Sequence, residues 1–112
     1  MYLPKTDIYN ALKSINQTYY VSQTQPTTFN TLPAIIFRIG NNSIREDLDN
    51  VILSQDLEVI VDIWATDSVT ASNVLSQVEE KMRLNLYNMS YSNDVPNAGN
   101  LYHIYCRFTK SY

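Results

Sequence analysis

The chain predicts an α+β fold: a two-layer sandwich of a mainly antiparallel β-sheet with two helices on one face, in the order α-β-β-β-α-β-β. The first observation behind this is the stretch at residues 51–66, VILSQDLEVIVDIWAT. Leu53, Leu57, Val59, Val61, Ile63 and Ala65 fall on one parity, with Gln55 as the interruption, while Ser54, Asp56, Glu58, Asp62 and Thr66 fall on the other, joined by Ile60 and Trp64. Alternation with period two over this length is a long strand with one face on a core. The second is a helical stripe directly after it: Ala71, Val74, Leu75, Val78, Met82 and Leu86. The third is a set of shorter strand-like runs joined by turn-forming residues, which hairpin connections turn into antiparallel neighbours.

Taken in order, Thr6 is placed to cap a short amphipathic helix over residues 7–16, with Asp7 in the first turn and Ile8, Ala11, Leu12 and Ile15 on one side. A helix this short is stable only when it lies on something else. Thr18–Ser22 has strand composition, and Gln23–Leu32 reads as a long polar loop. Ala34–Ile39 is a second strand, and Gly40-Asn41-Asn42 reads as the turn that ends it. Residues 41–50 form a polar, acidic connection into the long strand. Asp67 or Ser68 caps the second helix, expected over residues 69–87, and Glu79 and Arg83 make a favourable i,i+4 pair. Met89–Asn93 forms a short strand, Asn93–Asn100 a turn rich in Asn, Pro and Gly, and Leu101–Lys110 the closing strand.

At 112 residues the chain is one domain, 1–112, large enough for a single core. Charged residues make up only 17%, so Asn, Ser, Thr, Gln and Tyr supply much of the surface, and the nine tyrosines suit interfaces or ordinary sheet packing equally well. The net charge is −3, and the acids Glu46, Asp47, Asp49, Asp56, Glu58, Asp62 and Asp67 share the middle of the chain with one base, Arg45. A nucleic-acid binder carries the opposite bias, so sequence-specific DNA binding is not expected. No stretch approaches the ~20 apolar residues that cross a bilayer, and MYLPKTDIY holds no apolar signal run, so a soluble protein without secretion signal or membrane partner is expected.

The face of the sheet turned away from the helices collects Ala34, Ile36 and Arg38, then Glu58, Ile60, Asp62 and Trp64, then His103, Tyr105 and Arg107. Ile36, Ile60, Trp64 and Tyr105 together are too apolar for a face that meets only water, and exposed apolar surface marks a partner site. Arg38 or Arg107 can pair across strands with Glu58 or Asp62. Aromatics and arginines among paired charges describe a subunit interface. The candidate interface residues are therefore Ile36, Arg38, Glu58, Ile60, Asp62, Trp64, Tyr105 and Arg107. The competing reading has loops or a further strand covering this face within one chain.

Catalytic chemistry finds little footing. His103 and Cys106, three apart on a strand, point to opposite faces and cannot share a metal or form a dyad. His103 reads as an ordinary sheet-face residue. Glu46, Asp47 and Asp49 lack the ligand spacing of a calcium loop. Gly40 and Gly99 are the only glycines, so no glycine-rich phosphate loop exists. The expectation is a protein without catalytic residues, metal or cofactor.

The layout of DIYNALKSI, a polar loop, LPAIIFRI, the long strand LEVIVDIWATD with its DIWA end, the immediate helix SVTASNVLSQVEEKM and the closing LYHIYCRF resembles the small tail-terminator proteins of long-tailed bacteriophages and prophages, also described as tail-completion or head-to-tail joining proteins. The resemblance spans nearly the whole chain and rests on the order of elements more than on fixed residues. It implies a structural virion protein, a hexameric ring that caps the tail tube, stops its growth and meets the head connector, with DNA passing through unbound. Its partners would be the tail-tube protein and the head-completion protein. It would act in the host cytoplasm during assembly and remain in the virion neck. A head-completion protein of the adjacent ring, or a small cytoplasmic binding or regulatory module working through the same sheet face, are the alternatives.

Overall fold

A computed structural model describes residues 4–24, 26, 31–46, 52–95 and 101–111, with the backbone alone for 42–46 and 52–54. The order is α1 (Lys5–Lys13), β1 (Tyr20–Ser22), β2 (Ala34–Glu46), β3 (Ile52–Ala65), α2 (Ser68–Leu84), β4 (Asn88–Val95) and β5 (Tyr102–Ser111). The five strands form one sheet in the order β1-β2-β3-β5-β4. Every pairing is antiparallel except that of β1 with β2, so the predicted α+β fold and element order hold. Both helices pack on one face.

Helix α1 starts two residues earlier than the sequence suggested. Pro4 takes the cap position with φ −81°, and its carbonyl accepts from Ile8 N–H at 2.9 Å, so Thr6 lies inside the first turn rather than capping it. Proline fits here because its fixed φ is already helical. Ile8 and Leu12 are buried, and Ile15, beyond the helix end at Lys13, still packs on the core. Thr18 and Tyr19 fall outside β1, because the Asn16 side chain accepts from Thr18 N–H at 3.0 Å and from its hydroxyl at 2.8 Å, closing a local turn instead.

The turn expected at Gly40-Asn41-Asn42 is a bulge. Strand β2 continues to Glu46, and its register on β3 shifts between Ile39 and Asn41. Gly40 is required for space: a Cβ there would lie 2.7 Å from Glu58 Oε1 and 2.9 Å from Ile60 Cδ1, both folded over it. The expected connection at 41–50 is thus strand as far as Glu46, with 47–50 outside the described residues. Residues 25 and 27–30 of the loop at 23–32, and 96–100 of the turn expected at 93–100, lie outside them too, whereas Asn93 and Asp94 belong to β4.

The faces of β3 follow the alternation. Leu57, Val59, Val61, Ile63 and Ala65 join Phe37, Val74, Val78, Met82, Cys106 and Phe108 in one core. Gln55, which interrupts that parity in sequence, is itself buried. Burial pushes the Cys106 thiol pKa up to about 12, with the Asp62 carboxylate adding to the rise.

Helix α2 is capped by Asp67, whose carboxylate accepts from Thr70 N–H at 2.7 Å, and Glu79 and Arg83 pair at 3.4 Å. It ends at Leu84, three residues short of expectation, and Leu86 is therefore not part of the buried stripe. Leu86 adopts φ +69° and is exposed. Its N–H reaches Arg83 O at 2.9 Å, and Tyr87 N–H reaches Met82 O at 2.9 Å. These two bonds are the Schellman ending, with Leu86 at the left-handed position where glycine is usual.

The sheet is not evenly filled. Strand β5 ends opposite Asp56, and beyond it β2 and β3 pair only with each other among the described residues, as far as Glu46 and Ile52. This two-stranded arm gives a molecule of 53 × 27 × 25 Å with a radius of gyration of 15.2 Å. A compact chain of this length would have about 13 Å. No helix among the described residues is long and apolar enough to cross a membrane.

Candidate functional site

Strands β2, β3 and β5 carry the predicted residues on the helix-free face, as parity requires. In register, Ile36 lies opposite Asp62, Arg38 opposite Ile60, and Ala34 opposite Trp64; across β5, Arg107 lies opposite Ile60, Tyr105 opposite Asp62 and His103 opposite Trp64. Two of the eight candidates do not offer exposed apolar surface. Ile36 is 5% and Ile60 6% exposed in the single chain. The Ile60 side chain folds over Gly40 rather than standing outward. The apolar part of this face is thus largely satisfied within the chain, and its accessible part is aromatic and charged.

Two clusters form there. In the first, the His103 ring stacks on Trp64 with centroids 3.9 Å apart and planes 10° apart, while His103 Nε2 lies 2.7 Å from Asp62 Oδ1. The cross-strand register sets the stack directly. In the second, the Arg107 guanidinium donates to the Tyr105 hydroxyl at 3.3 Å, sits 3.7 Å from Glu58 Oε1, and lies about 6 Å from the ring centres of Tyr91 and Tyr105. The Tyr105 hydroxyl first, then Glu58, holds Arg107 above its ordinary pKa. Tyr91 and Tyr105 meet edge to face with centroids 6.0 Å apart. Of the expected charge pairs, Arg107 with Glu58 forms, whereas Asp62 is taken by His103, and Arg38 is exposed with no ion pair among the described residues.

His103, which sequence reasoning placed on this face but not among the interface candidates, and Tyr91, which it did not place there, are the added members. His103 shares parity with Tyr105 on β5, and only the β3–β5 register, unreadable from sequence, brings it onto Trp64. Tyr91 enters because β4 lies beside β5 at the edge of the sheet.

A histidine held by a carboxylate is half of a nucleophile-activating arrangement. Here the imidazole is stacked on an indole, and Cys106 lies on the opposite face in the core. Among the described residues no three His, Cys, Asp or Glu side chains converge as a metal site would require. The arrangement suits contact with another macromolecule: flat aromatic rings held by neighbours, an arginine pinned over tyrosines, and few side chains left to order. No protein-family model matches the chain, and no curated protein matches it in sequence.

Proposed function

We propose that this chain is a structural ring subunit of a bacteriophage neck, a tail terminator that caps the tail tube and joins tail to head, without enzymatic activity. The observation that carries this reading is the preorganised aromatic and charged face on a one-sided sheet whose β2–β3 arm projects beyond the domain. A subunit of a closed ring must present two different patches to its two neighbours. The sheet face and the arm are separate features of that kind. The resemblance in element order supplies the phage context, and the acidic character of the chain suits a channel through which DNA passes without sticking.

Trp64→Ala tests this reading. Trp64 lies near the Ala65 end of β3, stacked on His103, and a large aromatic anchor at a desolvated interface typically carries about 2 kcal/mol or more. The variant is expected to keep native circular dichroism and lose its assembled form. In a phage that encodes this chain, the same change is expected to leave heads and tails unjoined or tails of irregular length. A folded, fully assembled and functional Trp64→Ala protein would move the interface off this face. If the wild-type protein binds a different cytoplasmic partner as a monomer or dimer, the regulatory-module reading replaces the ring.

A further inference from the structure

Strand β4 is an edge of the sheet, with β5 on one side and no strand on the other among the described residues. An edge presents a row of backbone N–H and C=O groups, a template for a further strand. Folded proteins blunt such edges by keeping them short, or with lysine, proline or a bulge. The opposite edge follows this rule, since β1 has only three residues. β4 has eight, NMSYSNDV, with Asp94 as its one charge and with no lysine or proline. Its irregularity is a bulge between Met89 and Tyr91, where the Ser90 hydroxyl donates to Arg107 O at 3.2 Å. From Tyr91 to Val95 the register on β5 is continuous. Every residue of β4 but Val95 is exposed, so neither face of the strand is well covered.

The same chain holds a second open row. Strand β1 pairs with β2 only from Ala34 to Ile36, while β2 runs on to Glu46, so the arm has no strand on its β1 side among the described residues. β4 runs antiparallel to β5, β5 to β3 and β3 to β2, so β4 and β2 point in opposite directions. Two copies side by side in one orientation therefore bring β4 of the first to β2 of the second as an antiparallel pair, the ladder already used throughout this sheet except between β1 and β2. At equal height β4 would run into β1, because Asn93 is level with Ser22 through Tyr105, Asp62 and Ile36. Closing a sheet into a barrel tilts its strands by ~35–45° and staggers neighbours along the strand direction. A stagger towards the arm carries β4 past β1 and onto β2.

We propose that β4 of one copy pairs edge to edge with the β2 strand of the arm of a second copy, so that the sheets of neighbouring subunits run on into one. This rests on the ring reading above and names one of its contacts. The contact is heterologous, as a closed ring requires, and closure occupies both open rows at once. It is made by the backbone and not by charge: Arg45 and Glu46 on the arm carry opposite signs, and β4 adds only Asp94. A two-stranded ribbon on its own is marginal, and a third strand beside it completes its pairing. Tyr91 belongs to β4 and to the cluster with Tyr105 and Arg107, so the contact adjoins the aromatic face.

Amide hydrogen exchange of the wild-type chain, assembled and at high dilution, tests this directly. Assembly is expected to slow exchange in Tyr91–Val95 and in the β2 strand of the arm together. Proline substitution gives a second readout, because neighbouring amides on a strand point to opposite sides: of Ser92→Pro and Asn93→Pro, one loses an amide that bonds to β5 and the other an amide that faces out. The variant at the outward amide is expected to keep native circular dichroism, and its self-association in analytical ultracentrifugation is expected to weaken about tenfold or more. Exchange on β4 that is the same in both states, or an outward proline variant that assembles like wild type, overturns the edge contact and leaves the ring standing. Protection on β4 without protection on the arm puts a different strand on the edge and overturns the occupant named here. A wild-type protein that stays monomeric at every concentration overturns both the contact and the ring.

Discussion

His103 Nε2 lies 2.7 Å from Asp62 Oδ1, 41 positions earlier in the chain, and the same imidazole covers one face of the Trp64 indole. The His103 and Asp62 side chains are only 14% and 16% exposed. A hydrogen bond that shielded keeps more of its strength than one in water, and removing either partner leaves the other poorly solvated. The pair therefore fixes the histidine, and the histidine fixes the tryptophan. Under the ring proposal, Trp64 would meet a neighbour already ordered, which would lower the entropic cost of binding.

A double-mutant cycle of Asp62→Ala and His103→Ala in the unassembled subunit, followed by urea unfolding, should give a coupling energy within roughly 0.5–3 kcal/mol. Strictly additive losses would mean that the two side chains do not act as a pair.

The two faces of β3 differ less in energy than their sequence suggests. Ile63 is fully buried among the helices and Ile60 only 6% exposed on the other side, so Ala at either position should cost about 2–5 kcal/mol. Glu58→Ala should cost under about 1 kcal/mol, because its pair with Arg107 is long and partly solvated. If Ile60→Ala were as mild as Glu58→Ala in denaturant titrations, the burial of Ile60 would be refuted.

This contrast marks what sequence could and could not reveal. Parity fixed which residues share a face, because side chains alternate with a period of two, and it placed Val61, Ile63 and the α2 stripe in one core correctly. Parity says nothing about depth, and Ile36 and Ile60 are covered by close neighbours that only the assembled sheet supplies. Gly40-Asn41-Asn42 has the composition of a turn, but a bulge that needs glycine for clearance has the same composition. Leu86 continues the spacing of the α2 stripe, and no glycine or proline marks the helix end at Leu84. His103, Trp64 and Asp62 meet through strand register, a property of pairing rather than of any local window.

Cys106 should resist thiol reagents in the native protein. Its thiol is buried and its pKa pushed up to about 12, so little thiolate exists at pH 8. The unfolded chain ionises near its ordinary value of about 8.5 and binds fewer protons above it, so stability should decline as pH rises past that value. Rapid labelling by a colorimetric disulfide reagent at pH 8 without denaturant would place Cys106 outside the core.

Asp67 should give α2 an acid-sensitive start. Its carboxylate accepts chiefly from the Thr70 backbone N–H and hydroxyl, which lowers its pKa in the folded protein. A depressed folded value means that the contribution is complete above the ordinary carboxylate range and is lost as pH falls through the folded value below it. Asp67→Ala should therefore lower the melting temperature at pH 7, and the gap from wild type should close in strong acid. A gap that stays constant down to pH 2 would contradict the charged cap.

The most direct measurement is the mass of the wild-type protein by native mass spectrometry, at concentrations where assembly is complete. The ring proposal predicts one dominant species of six copies, six times the 12.9 kDa chain. A protein found only as one or two copies across that range would contradict it.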